Sequence, residues 1–206
     1  MILFLDMDGV LCLDHRQALD TGCLECLDTL LDRVPSMAVV FNTAWNIKPL
    51  SQMQNLFREA GFRNVHRLVD QTPLSCGGLR PIQDWFKTHP EKIGPYIIID
   101  DASQTYGLLK SRLVHCRPSK GFGPAALQKA VSIIQRPITV EGERQALYEA
   151  VTEAAKRMET ETPWLSSTQR ALYRYQMTRV RMECDEVPNE TYLEKLYLIR
   201  SGRGSN

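Results

Sequence analysis

Two aspartates near the N-terminus, spaced two residues apart, form the pattern in this chain that is best suited to chemistry. Asp6 and Asp8 follow an apolar run at residues 1–5, and Gly9 comes directly after them. The apolar run predicts a buried strand, and the glycine predicts a turn at its end. Because alternate strand residues point to the same face, both carboxylates are expected on one side, where they repel each other unless a proton or a cation lies between them.

A carboxylate pair of this kind can carry out phosphoryl transfer. One carboxylate can attack phosphorus and form an acyl phosphate, while the other moves protons for the leaving group and for water. Mg²⁺ suits the pair because this ion prefers hard oxygen ligands and commonly binds one or two carboxylates together with phosphate oxygens. A turn after a strand, or a Mg²⁺ or Ca²⁺ site without catalysis, would give the same short motif, so the motif alone leaves these alternatives open.

Two further apolar runs end in polar residues. Residues 37–42 lead to Thr43, and residues 96–99 lead to Asp100 and Asp101. Both runs predict buried strands. In open parallel α/β sheets, ligands bind at the carboxyl ends of the strands. The three strands are therefore expected to bring their acidic and hydroxyl groups to one phosphate and metal site.

These residues resemble the motifs of haloacid dehalogenase (HAD) superfamily phosphatases. Asp6 and Asp8 match the first motif, Thr43 matches the second, and Asp100 with Asp101 matches the fourth, within a resemblance that covers residues 1–136. The resemblance implies that Asp6 is the nucleophile and that Asp8 is the general acid and base. It also implies a Mg²⁺ site formed by Asp6, the main-chain carbonyl of Asp8, and the Asp100–Asp101 pair, with Asp101 as the expected direct ligand.

The resemblance further implies that the substrate phosphate contacts Thr43, Ala44 and a cation. The third HAD motif normally supplies a Lys, but the matching position here, ahead of the helix that precedes residues 97–99, holds Arg80. A guanidinium can contact phosphate bidentately, although it is bulkier than an ammonium group and places its charge differently. Lys48, in the loop after Thr43, is the second candidate for this cation.

Locally, the chain is similar to the small capless HAD domains associated with RNA-repair proteins. Trp45 follows Thr43 closely, and a helix that opens at Arg80 carries Trp85. A single predicted helix fills the chain between Asp8 and the second strand, and a helix and a strand fill the chain between Thr43 and Arg80, so neither interval has room for a cap domain. An open site admits large substrates such as nucleic-acid ends, and it excludes water less well.

The alternation of strand and helix patterns predicts an α/β fold with a mainly parallel sheet and helices on both faces. Strands are predicted at 1–6, 37–43, 64–69, 96–100 and 112–116, and helices at 22–33, 49–60, 80–89 and 123–135. The resemblance implies a Rossmann-like, five-stranded HAD sheet in the strand order 5-4-1-2-3. We expect residues 1–138 to form this core and residues 139–206 to form an extension with helices at 141–159, 164–183 and 189–200.

Composition narrows the class of protein. The 206 residues carry a formal net charge of +1, which gives no strong field toward nucleic acid or membrane. The apolar start is too short for a signal peptide and no stretch reaches the length of a membrane span, so we expect a cytoplasmic protein without a membrane partner.

In the extension, Arg170, Arg174 and Arg181 share one helical face. That face could bind nucleic acid, but solvated pairing with nearby acids is the favoured interpretation; the extension could also be a lid, a dimer face or a docking surface for a partner protein.

Three functions fit these residues. The first is a Mg²⁺-dependent phosphomonoester hydrolase that forms an aspartyl phosphate and acts on an exposed phosphate, such as the end of an RNA or DNA strand. The second is a small-molecule phosphatase, for example one that acts on nucleotides, and the lack of a cap is a mild objection to it. The third is a catalytically weak HAD scaffold whose helical tail binds a partner protein, which Arg80 in place of the family Lys would support.

Overall fold

The computed structural model describes residues 1–13, 18–74, 77–102, 106–162 and 164–197. The chain divides into two compact units. The first comprises Met1–Ala102 and Arg112–Gln135, and the second comprises the described residues of Ser103–Ser111 and Arg136–Asn206.

Five parallel strands form one sheet in the first unit. They are β1 (Ile2–Leu5), β2 (Ala38–Phe41), β3 (Leu68–Gln71), β4 (Tyr96–Asp100) and β5 (Leu113–His115). Their order is β3-β2-β1-β4-β5. The structure therefore confirms the α/β class and the predicted order 5-4-1-2-3, which is the same order read from the other edge.

The helices of the first unit bury both faces of the central strand. They are α1 (Thr21–Arg33), α2 (Leu50–Glu59), α3 (Leu79–Thr88) and α4 (Pro124–Gln135). Leu3 and Leu5 belong to a core cluster that also contains side chains from α1, α2 and α4. Phe4 points the other way, and its ring lies 5.6 Å from that of Trp85 in α3. This alternation explains why β1 is apolar at every position rather than at every second one.

Strand register sets the position of the site. Leu5 of β1 pairs with Phe41 of β2 and with Ile99 of β4. Because the three strands are parallel and in register, the residues that follow these partners emerge at one edge of the sheet. Asp6 and Asp100 therefore reach that edge as neighbours, which the sequence pattern predicted.

The third strand lies later in the chain than predicted. The apolar pattern predicted a strand at 64–69, but residues Val65–Arg67 form a 3₁₀ helix, and β3 begins at Leu68. The reason is a buried carboxylate. Asp28 of α1 accepts hydrogen bonds from the main-chain N–H of Asn64 at 3.1 Å and from the Asn64 side-chain amide at 2.7 Å. The first of these bonds occupies the main-chain N–H of Asn64, so that group cannot join the sheet ladder.

The second unit is helical where the structure describes it. It contains α5 (Val140–Glu161), α6 (Ser167–Glu186) and α7 (Asn189–Tyr197). The predicted helix at 164–183 begins later, at Ser167, because Ser166 and Gln169 form a reciprocal capping box. The predicted last helix is found from Asn189, and residues 198–200 lie outside the described residues. Among the helices described, none is long and apolar enough to cross a membrane.

We expect Asp28→Ala to lower the free energy of unfolding by about 2 kcal/mol, because it leaves the buried main-chain N–H of Asn64 without its acceptor. Asp28 is only 5% exposed. The measurement is urea unfolding followed by far-UV circular dichroism.

Asp32→Ala is the matched control, because Asp32 also accepts from Asn64 but its side chain is 48% exposed. This variant should lose clearly less stability. Equal losses in the two variants would contradict the role given to the buried carboxylate.

Candidate active site

Asp6 emerges from β1 between its two neighbouring strands. Its main-chain N–H donates to the carbonyl of Ile99 at 3.0 Å, and the N–H of Asn42 donates to the carbonyl of Leu5 at 2.8 Å. The backbone of Asp6 therefore remains fixed by the sheet although the strand has ended. Its side chain is half-buried, whereas that of Asp8 is exposed.

A tight turn carries the chain from Asp6 to Asp8 and onward. The N–H groups of Leu11 and Cys12 both donate to the carbonyl of Met7 at 2.9 Å, and Gly9 has a φ of +69°. A Cβ atom added to Gly9 would lie 2.3 Å from the Asp101 carboxylate oxygen Oδ2. Position 9 therefore requires glycine for two reasons: its left-handed backbone conformation and the close approach of the Asp101 carboxylate.

Three carboxylates meet at this edge and form what we call the carboxylate cluster: Asp6, Asp100 and Asp101. Each offers an oxygen atom, and these oxygens lie within 4.8 Å of one another. Burial and then the charge of Asp100 raise the pKa of Asp6 to about 8. Burial, and to a smaller extent the charge of Asp8, raises the pKa of Asp101. A proton or a cation would relieve the repulsion within the cluster, whose hard oxygen donors suit a divalent ion such as Mg²⁺.

Thr43 lies at the same edge, at the end of β2. Its side chain is 1% exposed, and its hydroxyl donates a hydrogen bond to Asp6, which partly offsets the rise in the Asp6 pKa. The same oxygen accepts from the main-chain N–H of Trp45 at 3.4 Å and caps a 3₁₀ helix, Ala44–Ile47. Ala44 is exposed at the start of this helix.

The Asp8 carboxylate is not a member of the carboxylate cluster. Its oxygen Oδ2 accepts a hydrogen bond of 3.0 Å from the indole Nε1 of Trp45. The Nζ of Lys48 lies 4.4 Å from the centroid of the Trp45 ring. Trp45 thus links Lys48 to Asp8, an arrangement that the sequence pattern did not predict. The short separation of Trp45 and Lys48 from Thr43 was the available signal.

Arg80, the first candidate for the cation that contacts phosphate, comes from a different element, α3. It occupies the first turn of α3, whose preceding residues Gly77 and Gly78 both have positive φ values. A Cβ atom added to Gly77 would lie 3.7 Å from Asp100 Oδ2, so this glycine turn approaches the carboxylate cluster. The Arg80 side chain is exposed, and its charge acts on Asp84 one turn later. Among the described residues, Arg80 forms no ion pair with the cluster.

Removing the Asp6 charge should stabilise the metal-free protein at high pH. Because the folded-state pKa of Asp6 is about 8 and its ordinary value is 3.8, the stability that its proton provides is lost as pH rises from about 4 to about 8. Asp6→Asn keeps the shape without the charge. In EDTA, we expect its melting temperature to match that of the wild type near pH 4 and to exceed it at pH 8.

Asp84→Asn is the control. Because Lys87 lowers the pKa of Asp84, removing the Asp84 charge should not raise the melting temperature at pH 8. The reading of the cluster is contradicted if wild-type and Asp6→Asn melting temperatures run parallel across this pH range.

Comparison with known proteins agrees with this geometry. A model of the family described as the HAD domain in Swiss Army Knife RNA repair proteins matches residues 2–127, a span that includes Asp6, Asp8, Thr43 and the Asp100–Asp101 pair. No curated protein and no solved structure matches the chain. The family implies a phosphatase-type hydrolase. The match spans more than half of the chain and confirms the resemblance, so the chain belongs to this HAD domain family.

Proposed function

We propose that the protein is a Mg²⁺-dependent phosphomonoester hydrolase that works through an aspartyl phosphate on Asp6. The observation that carries the proposal is the different environment of the two first-motif aspartates. Asp6 lies within the carboxylate cluster and accepts a hydrogen bond from Thr43, whereas the exposed Asp8 carboxylate lies outside that cluster. A nucleophile must be an ionised carboxylate, which a cation bound in the cluster would favour for Asp6, and a proton carrier must be able to reach the leaving group, which the exposure of Asp8 allows.

The first half-reaction forms the covalent intermediate. An Asp6 carboxylate oxygen attacks phosphorus, and the bond between phosphorus and the ester oxygen breaks. Protonated Asp8 gives its proton to that oxygen, so the alcohol leaves neutral. The Thr43 hydroxyl donates to Asp6 in the structure, and we propose that it turns to the transferring phosphoryl group as the Asp6 oxygen attacks.

The second half-reaction regenerates the enzyme. Asp8, now a carboxylate, takes a proton from a water molecule as that water attacks phosphorus. The acyl phosphate bond breaks, inorganic phosphate leaves, and Asp6 is again a free carboxylate. Asp8 has regained its proton, so the cycle balances.

The carboxylate cluster, together with the main-chain carbonyl of Asp8, would hold the metal. When bound, Mg²⁺ supplies charge neutralisation for the clustered carboxylates and for the phosphate oxygens. The raised pKa values of Asp6 and Asp101 support this assignment, because a cation relieves the same repulsion that a proton relieves.

We infer that Lys48 is the cation that contacts the substrate phosphate. Its ammonium group lies over Trp45, whose indole also contacts Asp8, so Lys48 is tied to the site through one side chain. The charge of Arg80, the other predicted candidate, instead contributes, after Lys87, to the lowered pKa of Asp84. An ammonium group also matches the residue type of the third HAD motif, although it comes here from a different position.

The proposed substrate is an exposed phosphomonoester, such as the end of a nucleic-acid strand. The family description names RNA repair, which supports this class. The edge of the site is open as well, since Asp8 and Ala44 are exposed and Ile47 is 74% exposed.

The central test is phosphate release from an aryl phosphate, with Mg²⁺ and with EDTA. We expect Mg²⁺-dependent turnover by the wild type and a loss on the order of 10³-fold or more in Asp6→Asn, because the nucleophile is removed. Asp84→Asn should retain turnover. Wild-type rates in Asp6→Asn would overturn the nucleophile assignment. Phosphorylated RNA and DNA oligonucleotides can then be compared with mononucleotides as substrates.

A second test separates the two cations. We expect Lys48→Met to lower kcat/KM roughly 10- to 100-fold, as for the loss of a hydrogen bond to a charged group, and Arg80→Met to lower it less. Lys87→Met is the control, because Lys87 is exposed and pairs with Asp84 at 2.6 Å. A larger loss in Arg80→Met would assign the phosphate contact to Arg80.

A further inference from the structure

We propose that Trp45 is a positioning residue that orients the Asp8 carboxylate for proton transfer to the leaving group. The inference rests on the proposed function and adds a specific residue to it. It comes from the hydrogen bond between the Trp45 indole N–H and Asp8 Oδ2, at 3.0 Å.

Asp8 needs such a partner because its own surroundings leave it free to rotate. Its side chain is exposed, and the turn that contains Asp8 fixes only its backbone. An exposed aspartate samples several rotamers, and only some of them direct a carboxylate oxygen at the leaving group. A hydrogen bond from a fixed donor selects one orientation. Proton transfer requires the acid within hydrogen-bond reach of its acceptor, so this selection bears on the rate.

Trp45 is well suited to be the fixed donor. Its side chain is 6% exposed and packs in the core cluster, so the indole ring has little freedom. Its main chain is held on both sides, because the N–H donates to Thr43 Oγ1 and the carbonyl accepts from the N–H of Lys48 at 2.9 Å. The next residue, Asn46, donates to the carbonyls of Phe41 and Thr72. The donor is therefore fixed relative to β2.

The hydrogen bond also distinguishes the two oxygens of Asp8. The indole N–H occupies Oδ2, so Oδ1 is the oxygen that carries the proton to the leaving group and later accepts one from water. Indole is a donor only, and it cannot take this proton itself. Trp45 thus directs the proton without exchanging it.

A purely structural role for Trp45 makes a different prediction. If Trp45 served only to fill the core, its substitution would lower activity equally on all substrates. If it positions the acid, the loss depends on how much the leaving group needs a proton. A p-nitrophenolate departs readily without one, whereas an alkoxide does not. The ratio of the two rates therefore separates the roles.

The experiment compares kcat/KM for p-nitrophenyl phosphate and for an alkyl phosphate, because kcat/KM reports steps up to departure of the leaving group. The variant Trp45→Phe keeps an aromatic ring and removes the N–H. We expect its loss on the alkyl phosphate to exceed its loss on p-nitrophenyl phosphate about tenfold, as expected for one hydrogen bond to a charged group. Asp8→Asn should show the same selectivity more strongly.

Trp85→Phe is a closely matched control. Trp85 is 3% exposed, and its indole N–H donates to Asp70 Oδ2 at 2.7 Å, but Asp70 lies outside the carboxylate cluster. The two variants remove the same atoms from similar buried environments. Trp85→Phe should leave the ratio of the two substrates unchanged even if it lowers the melting temperature as much as Trp45→Phe does.

The outcomes are distinguishable. Selective loss in Trp45→Phe supports the positioning role. An unchanged substrate ratio in Trp45→Phe, whether turnover is at the wild-type level or lowered equally on both substrates, overturns that role and leaves the proposed function standing. No Mg²⁺-dependent turnover by folded wild-type protein on either substrate overturns both.

Discussion

Repulsion among carboxylates at the carboxyl edge of the sheet is the constraint around which the first unit is organised. Parallel pairing in register makes Asp6 and Asp100 neighbours, and Asp101 joins them within 4.8 Å. Local donors relieve part of the repulsion: the Thr43 hydroxyl and the Met7 N–H donate to Asp6, and the Ala102 N–H donates to Asp100 Oδ1 at 2.6 Å. The pKa of Asp6 is nevertheless raised to about 8, so the fold maintains a site that favours a cation.

Close backbone approach makes this cluster sterically feasible. Gly9 and Gly77 both have positive φ values and both lie against carboxylates of the cluster, Gly9 against Asp101 and Gly77 near Asp100. A side chain at Gly9 would occupy the space of the Asp101 carboxylate. The two glycine turns thus bring main chain, rather than side chains, up to the charged atoms.

The short 3₁₀ helix after β2 gives the two first-motif aspartates different surroundings. Thr43, at its cap, contacts Asp6, and Trp45, inside it, contacts Asp8. One local element therefore reaches both carboxylates through side chains of opposite character, a hydroxyl and an indole. Lys48 leaves the same helix and lies over the indole ring. The proposed nucleophile and proton carrier both contact side chains of the six-residue segment from Thr43 to Lys48, and Lys48, the proposed phosphate contact, ends that segment.

From the residue pattern alone, the parallel sheet and the convergence of its acidic groups could be predicted, because buried central strands are apolar at every position and the polar residues that follow them emerge at the same edge; the strand order came from the resemblance to HAD phosphatases. Asp6, Thr43, Asp100 and Asp101 were predictable on that ground. The start of β3 was not, because the contact between Asp28 and Asn64 joins residues that are distant in the chain. The environments of Asp8, Lys48 and Arg80 were likewise decided by tertiary structure. Which side chain an exposed or half-buried polar group meets depends on how separate elements pack, and no local pattern of residue types encodes that choice.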